Sequence, residues 1–238
     1  PELRDVAVLT EPLTIAEKAK EEAQLILRRL PWLNPDLSMA AQTSRKLQGV
    51  VLGAGPVGLL GAFVMATLGG ELYVYALAPA PNPASAIVEA IGAKYISKGK
   101  ITEEHRKALL GNVDLVYEAT GVSSLAFEAW QILGPYSTFI FTGVPGQHAP
   151  IEVDTDTLMR NIVLKNQVII GTVNADSKAF DGAIRDLGVF NQRWPGALRS
   201  LITSRFAVED AQDVLLGKTG GIKNVISFVP ASVPSASR

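Results

Sequence analysis

The sequence predicts an α/β domain, doubly wound around a mostly parallel sheet with flanking helices. Three observations carry that prediction. From Gln48 onward, short apolar runs alternate with stretches long enough for helices. Those runs are apolar on both faces, as strands covered by helices on each side must be. A glycine-rich junction, 53–58, lies where the first run meets the first helical stretch.

Each element has a local reason. Residues 12–30 read as a helix, with Pro12 at the first helical position, a wet face of Glu17, Lys18, Lys20, Glu21 and Glu22, and an apolar face of Leu13, Ala16, Ala19, Ala23, Ile26, Leu27 and Leu30. Pro31 and Pro35 stop it, and 36–47 form a weaker segment. Strands are expected at Gly49–Gly53, Leu72–Ala76, Lys94–Ile96, Asp114–Tyr117, Ser137–Thr142 and Val168–Gly171. Helices are expected between them at Val57–Leu68, Ala84–Ile91, Glu103–Leu110, Ser124–Leu133 and Thr155–Ile162. Beyond Asn174 the rhythm loosens. Residues 177–191 and 195–203 read as helices, Ala207–Leu216 as a strand end followed by a helix, and Lys223–Phe228 as a last strand. The Ser-, Ala- and Pro-rich tail, Pro230–Arg238, is expected to fray. The organisation that follows is a helical lead-in over 1–47, a ligand-binding α/β domain over 48–175, and C-terminal helices, strand and tail over 176–238.

Composition narrows the function. Twenty-two Lys and Arg stand against 23 acids among 238 residues, leaving a formal net charge of −1 and no basic footprint for nucleic acid or a membrane surface. The chain has no cysteine, so disulfides, thiol nucleophiles and thiolate zinc sites are excluded within it. Gly49–Gly70 is uncharged, but its glycines divide it into a short strand and a helix rather than a membrane span. The start shows no basic-then-apolar signal pattern; the chain is expected to be cytoplasmic and, beginning Pro1-Glu2-Leu3-Arg4, a fragment of something longer.

The chemistry is concentrated in Gly53-Ala54-Gly55-Pro56-Val57-Gly58, a G-x-G-x-x-G between a predicted strand and a predicted helix. The first glycine allows the tight turn, the second lets backbone approach a pyrophosphate, and the third lets the helix pack against the strand. The helix start then offers N–H groups and a positive dipole end to phosphates. This Rossmann fingerprint points to a dinucleotide, NAD or NADP. At the end of the second strand, where an acid would hold a ribose 2′-hydroxyl or an arginine a 2′-phosphate, stand Ala76, Leu77 and Ala78, so cofactor choice stays open. Asn82, the nearest polar residue, suits a turn. Three further loops at strand carboxyl ends either leave room for a nicotinamide or are ordinary turns: 118–121, the segment with Thr142, Gly143 and Val144, and the segment with Thr172, Val173 and Asn174.

Glu11, just before Pro12, is either a carboxylate favoured by the helix dipole or one facing a zinc site or a substrate. His105 lies in a charged stretch and reads as solvated. Gly217-Lys218-Thr219 is no phosphate loop, because Gln212 stands where its first glycine belongs.

These pieces, with Leu9-Thr10-Glu11-Pro12-Leu13, Val116-Tyr117-Glu118-Ala119-Thr120-Gly121, Gly143-Val144-Pro145, Ile151-Glu152-Val153-Asp154, and Val163-Leu164-Lys165-Asn166 through Gly171-Thr172-Val173-Asn174, give the chain a family likeness. It resembles the medium-chain zinc-dependent alcohol dehydrogenases, and within them the archaeal-type glucose 1-dehydrogenases, from about residue 5 to 229. The resemblance implies a GroES-like catalytic domain ahead of these residues, which would carry most of the zinc ligands. The chain would then be a C-terminal part that binds cofactor and does not oxidise sugar alone. It implies that Glu11 contacts the zinc site or the sugar, that Ala54 to Val57 meet the pyrophosphate, and that Ala76 to Ala78 flank the adenosine ribose. Thr142 to Val144 and Thr172 to Asn174 would line the nicotinamide end, with Asn174 also reaching the sugar. Leu77 and Ala78 stand where NADP-preferring relatives carry arginines. The resemblance further implies a dimer or tetramer. Another polyol or alcohol as substrate, or a non-catalytic dinucleotide-binding module, stays open at this level.

Overall fold

The computed structural model describes residues 2–28, 46–217 and 219–228. The weaker segment expected at 36–47 falls mostly outside these residues, and the tail at 230–238 falls wholly outside them.

Strands β1 (Gln48–Leu52), β2 (Glu71–Ala76), β3 (Lys94–Ser97), β4 (Val113–Glu118), β5 (Leu133–Phe141) and β6 (Val168–Gly171) form one sheet in the order β3-β2-β1-β4-β5-β6. Every pairing in it is parallel. The order reverses between β1 and β4, so their carboxyl ends open the crevice in which such sheets bind ligands. β4 is buried at all six positions, as its central place requires.

Helix α1 (Thr10–Leu27) precedes the sheet, and α2 (Pro56–Thr67), α3 (Pro83–Ala90), α4 (Glu103–Leu109), α5 (Ser123–Ala129) and α6 (Thr155–Leu164) connect its strands. α7 (Ser177–Arg193) and α8 (Pro195–Ser200) follow. On one sheet face Leu9, Leu13, Leu59, Phe63, Leu187 and Phe190 interlock, bringing α1, α2 and α7 into one core. On the other, Trp130, Leu133 and Phe139 pack with Val50, Leu52 and Tyr73. α2 is so uniformly apolar because it lies wholly within this packing, with Leu59, Leu60, Ala62 and Phe63 at 0% exposure.

Three sequence expectations are corrected. The helix expected at Ser124–Leu133 ends at Ala129, passes through a 3₁₀ turn at Trp130–Ile132, and gives way to β5 at Leu133 rather than Ser137. β5 starts early because it is irregular: Val113 faces Leu133 but Leu115 faces Thr138, and Tyr136 takes up the slack at φ 58°. The helix expected at 195–203 stops at Ser200. From Ile202 the alternation Ile-Thr-Ser-Arg-Phe pairs instead as β7 (Ile202–Ala207) with β8 (Lys223–Ser227), in a separate two-stranded parallel sheet. Helix α9 (Ala211–Leu215) lies between those two strands. His105 is not simply solvated. It is half-buried, edge-on to Tyr73 with ring centroids 6.5 Å apart, and its Nδ1 faces Thr102.

Candidate functional site

The glycine loop joins β1 to α2. Gly53 has φ 107°, left-handed backbone that disfavours a side chain, and its N–H donates to Tyr75 O at 2.8 Å, tying the loop to β2. Gly55 is the N-cap of α2, with Pro56 at the first helical position. A Cβ on Gly55 would meet nothing within 4 Å, whereas one on Gly58 would lie 2.1 Å from Gly53 O. The loop is therefore open at its second glycine and closed at its third, as a backbone laid against a pyrophosphate must be. Ala54, Pro56 and Val57 are half-buried around it. The first N–H groups of α2 have no intrahelical acceptor and carry the positive end of the helix dipole.

Two neighbouring loops are locked to this one. Ala119 N donates to Leu52 O at 3.0 Å, and Thr142 N and Gly143 N both donate to Glu118 O, at 2.9 and 3.2 Å. A Cβ on Gly143 would lie 2.2 Å from Gly121 N, and one on Gly121 would lie 2.7 Å from Val144 O. The loops after β4 and β5 thus touch backbone to backbone. Glu118, only 1% exposed, organises them. Its Oε1 accepts from Thr120 N at 2.6 Å and Gly121 N at 2.9 Å, and from the Thr120 hydroxyl. The sequence reading placed Glu118 in a ligand loop but did not see this role. The available signal was a carboxylate closing an apolar strand directly before Ala-Thr-Gly.

After β6, Thr172 N donates to Phe141 O at 3.0 Å, and Asn174 adopts φ 61°. Val144 and Val173 are exposed, at 82% and 64%. Ala76 ends β2 and is buried, while Leu77 and Ala78 are exposed beyond it. Asn82 proves to be a cap: its side chain accepts from Ser85 N, its own N–H donates to Ser85 Oγ at 2.9 Å, and α3 starts there.

Glu11 lies exposed in the first turn of α1. Lys18 is seven residues further on, and so on the same helix face. Its Nζ donates to Val173 O at 2.8 Å. α1 is held by a cluster in which Lys20 bridges Glu17 and Asp186 of α7, so Glu17 and Lys20, expected on the wet face, are instead turned into the α1–α7 interface because they pair there. Burial pushes the Glu17 carboxyl above its ordinary range despite the Lys20 hydrogen bond. Burial also works against Asp186, but there Lys20 prevails and holds the carboxyl below its ordinary range. The predicted residues of the glycine loop and of the β2, β5 and β6 ends thus lie along one rim of the sheet, to which α1 is tied through Lys18 and Val173.

Among the described residues no three His, Asp or Glu side chains gather to hold a metal ion, and the chain has no cysteine. Glu11 alone is one donor, so these residues do not make up a zinc site. Among them, too, no helix is long and apolar enough to cross a membrane.

A parallel sheet that reverses order beside a G-x-G-x-x-G turn defines a Rossmann-type α/β domain with a dinucleotide-binding crevice. The chain belongs to the family described as glucose dehydrogenase C-terminus, whose model matches residues 4–228. It is 31% identical over 226 residues to the glucose 1-dehydrogenase of Methanocella arvoryzae, covering 95% of this chain and 60% of that protein. It is 33% identical over 225 residues to that of Thermoproteus tenax, covering 94% and 60%. The glucose dehydrogenase of Haloferax mediterranei, solved in complex with NADP, Zn and gluconolactone, superposes with a TM-score of 0.74 at 26% identity, over 94% of this chain and 59% of that one. The chain therefore spans about 60% of the length of the curated relatives it matches.

Proposed function

We propose that this chain is the cofactor-binding part of an NAD(P)-dependent glucose (aldose) 1-dehydrogenase. The observation that carries this reading is the loop at Gly53–Gly58, open to a ligand at Gly55 and sealed against its own strand at Gly58. The family membership and the glucose dehydrogenase relatives support the choice of reaction. In this reading Ala54, Gly55, Pro56 and Val57 cradle the pyrophosphate, and Ala76, Leu77 and Ala78 flank the adenosine ribose. Thr142, Gly143, Val144, Thr172, Val173 and Asn174 border the nicotinamide. Glu11 and Asn174 face the sugar.

The nicotinamide, when bound, is the hydride acceptor: the sugar C1–H bond breaks with its electron pair, and the C1 hydroxyl proton is released. The chain's own part is to orient. The Glu118 network holds two loops at fixed spacing, and the bond from Lys18 to Val173 O fixes the third against α1. Zinc would supply Lewis-acid chemistry at the C1 oxygen, but the donors among the described residues do not make up a site for it.

A homo-oligomer belongs to the same reading. β6 is an edge strand, and beside it Met159, Val163 and Leu164 of α6 are 66%, 71% and 73% exposed. Light scattering on the purified chain should give a dimer or larger, and Val163→Glu should shift it towards monomer.

The test of the main reading is calorimetric titration of the chain with NAD and with NADP. Saturable binding of at least one, lost in Gly55→Ala, is expected. Absence of binding by both would overturn it.

A further inference from the structure

The end of β2 lacks what a ribose reader needs. Residues 76–82 run Ala-Leu-Ala-Pro-Ala-Pro-Asn, without a charge. The amide of Asn82 is already committed, its Oδ1 to Ser85 N and its Nδ2 to Pro79 O and Tyr95 Oη. An adenosine 2′-hydroxyl would find no carboxylate to accept its proton there. A 2′-phosphate would find no carboxylate to repel it.

The positive charge lies one strand over. β3 runs parallel beside β2 with Ser97 opposite Ala76. The ladder continues past both strands, with Lys98 N donating to Ala76 O at 2.8 Å. Lys98 therefore flanks Leu77, at about the 4.8 Å spacing of neighbouring strands. The next turn, closed by Lys100 N to Ser97 O at 3.0 Å with Gly99 at φ 81°, brings Lys100 to the same rim. Tyr95 Oη donates to Ala78 O at 2.9 Å, which ties the loop after β2 to β3 and fixes their separation. Both lysines are exposed, and among the described side chains neither ammonium has a carboxylate partner.

Resting on the dinucleotide reading of the glycine loop, we propose that this chain selects the 2′-phosphorylated cofactor, NADP. Lys98, assisted by Lys100, is the specificity-determining residue, supplying from β3 the cation that the end of β2 does not carry. A lysine suits this task as a point charge on a long stem, able to cross one strand spacing without bidentate geometry. The cost of the cation's absence falls on the 2′-phosphate alone, since NAD presents only a neutral hydroxyl to it.

The test is calorimetric titration of the full 238-residue chain with NADP, NAD and 2′,5′-ADP at low and high salt. NADP should bind about tenfold or more tighter than NAD, and more salt-sensitively, as expected for a charge-assisted contact. Lys98→Ala should weaken NADP and 2′,5′-ADP about tenfold and leave NAD within about twofold, and Lys98→Glu should invert the preference. Thermal unfolding of both variants, unchanged at these exposed positions, would show that the losses are local. A preference for NAD, equal affinities, or an NADP-to-NAD ratio that ignores both substitutions would overturn this inference while leaving the dinucleotide reading intact. If neither nucleotide bound, both would fall.

Discussion

Two alanine substitutions three residues apart in this loop, Gly55→Ala and Gly58→Ala, should separate folding from binding. At Gly58 the new Cβ would lie 2.1 Å from Gly53 O and 2.8 Å from Gly53 C, both backbone atoms that cannot swing aside. Restoring ordinary contact needs a shift of more than about 1 Å in β1 or α2, and overpacking of that kind costs about 1–3 kcal/mol. Better helix propensity returns about 0.5–1 kcal/mol, so a net loss of up to ~2.5 kcal/mol is expected. In a chain of this size each kcal/mol moves Tm by about 2–4 °C. At Gly55 the Cβ meets nothing, and φ is −78°, which any residue adopts. The poorer N-cap and the stiffer unfolded chain nearly cancel, so stability should stay within about 0.5 kcal/mol. Yet that open space is where the pyrophosphate would rest, so NAD(P) affinity should fall at least ~10-fold, or ~1.4 kcal/mol. Thermal unfolding and calorimetric titration, run on both variants, read the two quantities. If Gly55→Ala bound as tightly as the parent, the phosphate would not lie on this loop. If Gly58→Ala melted with the parent, the close approach drawn between α2 and β1 would be wrong.

Glu118→Ala would strip the acceptor from Thr120 N and Gly121 N; a loss of about 2–4 kcal/mol in urea unfolding is expected, with weaker cofactor binding from loosened loops. A stable variant that still bound would deny Glu118 its organising part. Lys20→Met would leave Glu17 and Asp186 buried without their cation, at a cost of about 3–5 kcal/mol near neutral pH, measured by urea unfolding. That cost should shrink as acid protonates Glu17. In the parent, the contribution of Asp186, whose pKa is lowered, is present above its ordinary value of 3.8 and is lost as pH falls further. Glu17, raised above 4.5, acts in the opposite sense, its contribution fading as pH climbs from there through the raised value. Tm measured across this range should therefore lose its acid-side fall in Asp186→Asn. Asn82→Ala removes the cap of α3 and should cost about 1 kcal/mol, read as a Tm drop of a few degrees, without changing nucleotide preference.

The parallel sheet was legible because its strands are apolar on both faces and short, while the intervening helices are capped or opened by Pro56, Pro83 and Asp154. The glycine loop was legible because each glycine answers a separate steric demand, which spacing alone records. The early start of β5 was not legible. Gly134 and Pro135 punctuate the sequence as a turn, and only pairing across an irregular register recruits 133–136 to the strand. β7 was missed for a related reason: Ile202 and Thr203 follow a helix with no breaker, and their partner strand lies some twenty residues away. Glu118 and Lys98 could not be assigned from spacing, because each acts through a neighbour that only the folded sheet brings alongside.

The same logic bears on Glu11. An exposed carboxylate at a helix start has no reason of its own to face the crevice, and its neighbours in sequence do not aim it. Its position is set by α1, and α1 is held by contacts remote from Glu11. Gly182 lets α7 approach so closely that a Cβ there would lie 2.9 Å from Glu17 Oε2, and Lys20 bridges the two helices at that point. On the same turn, Lys18 fastens the Glu11 face to Val173 O. These polar contacts leave one turn of α1 on different sides, and so fix its rotation and height where apolar packing alone would tolerate sliding. A charged cluster in an otherwise apolar helix interface is costly to bury and adds little net stability. Its return is geometric: it allows α1 one register on α7, and so places Glu11 at one position relative to the loop at Thr172–Asn174.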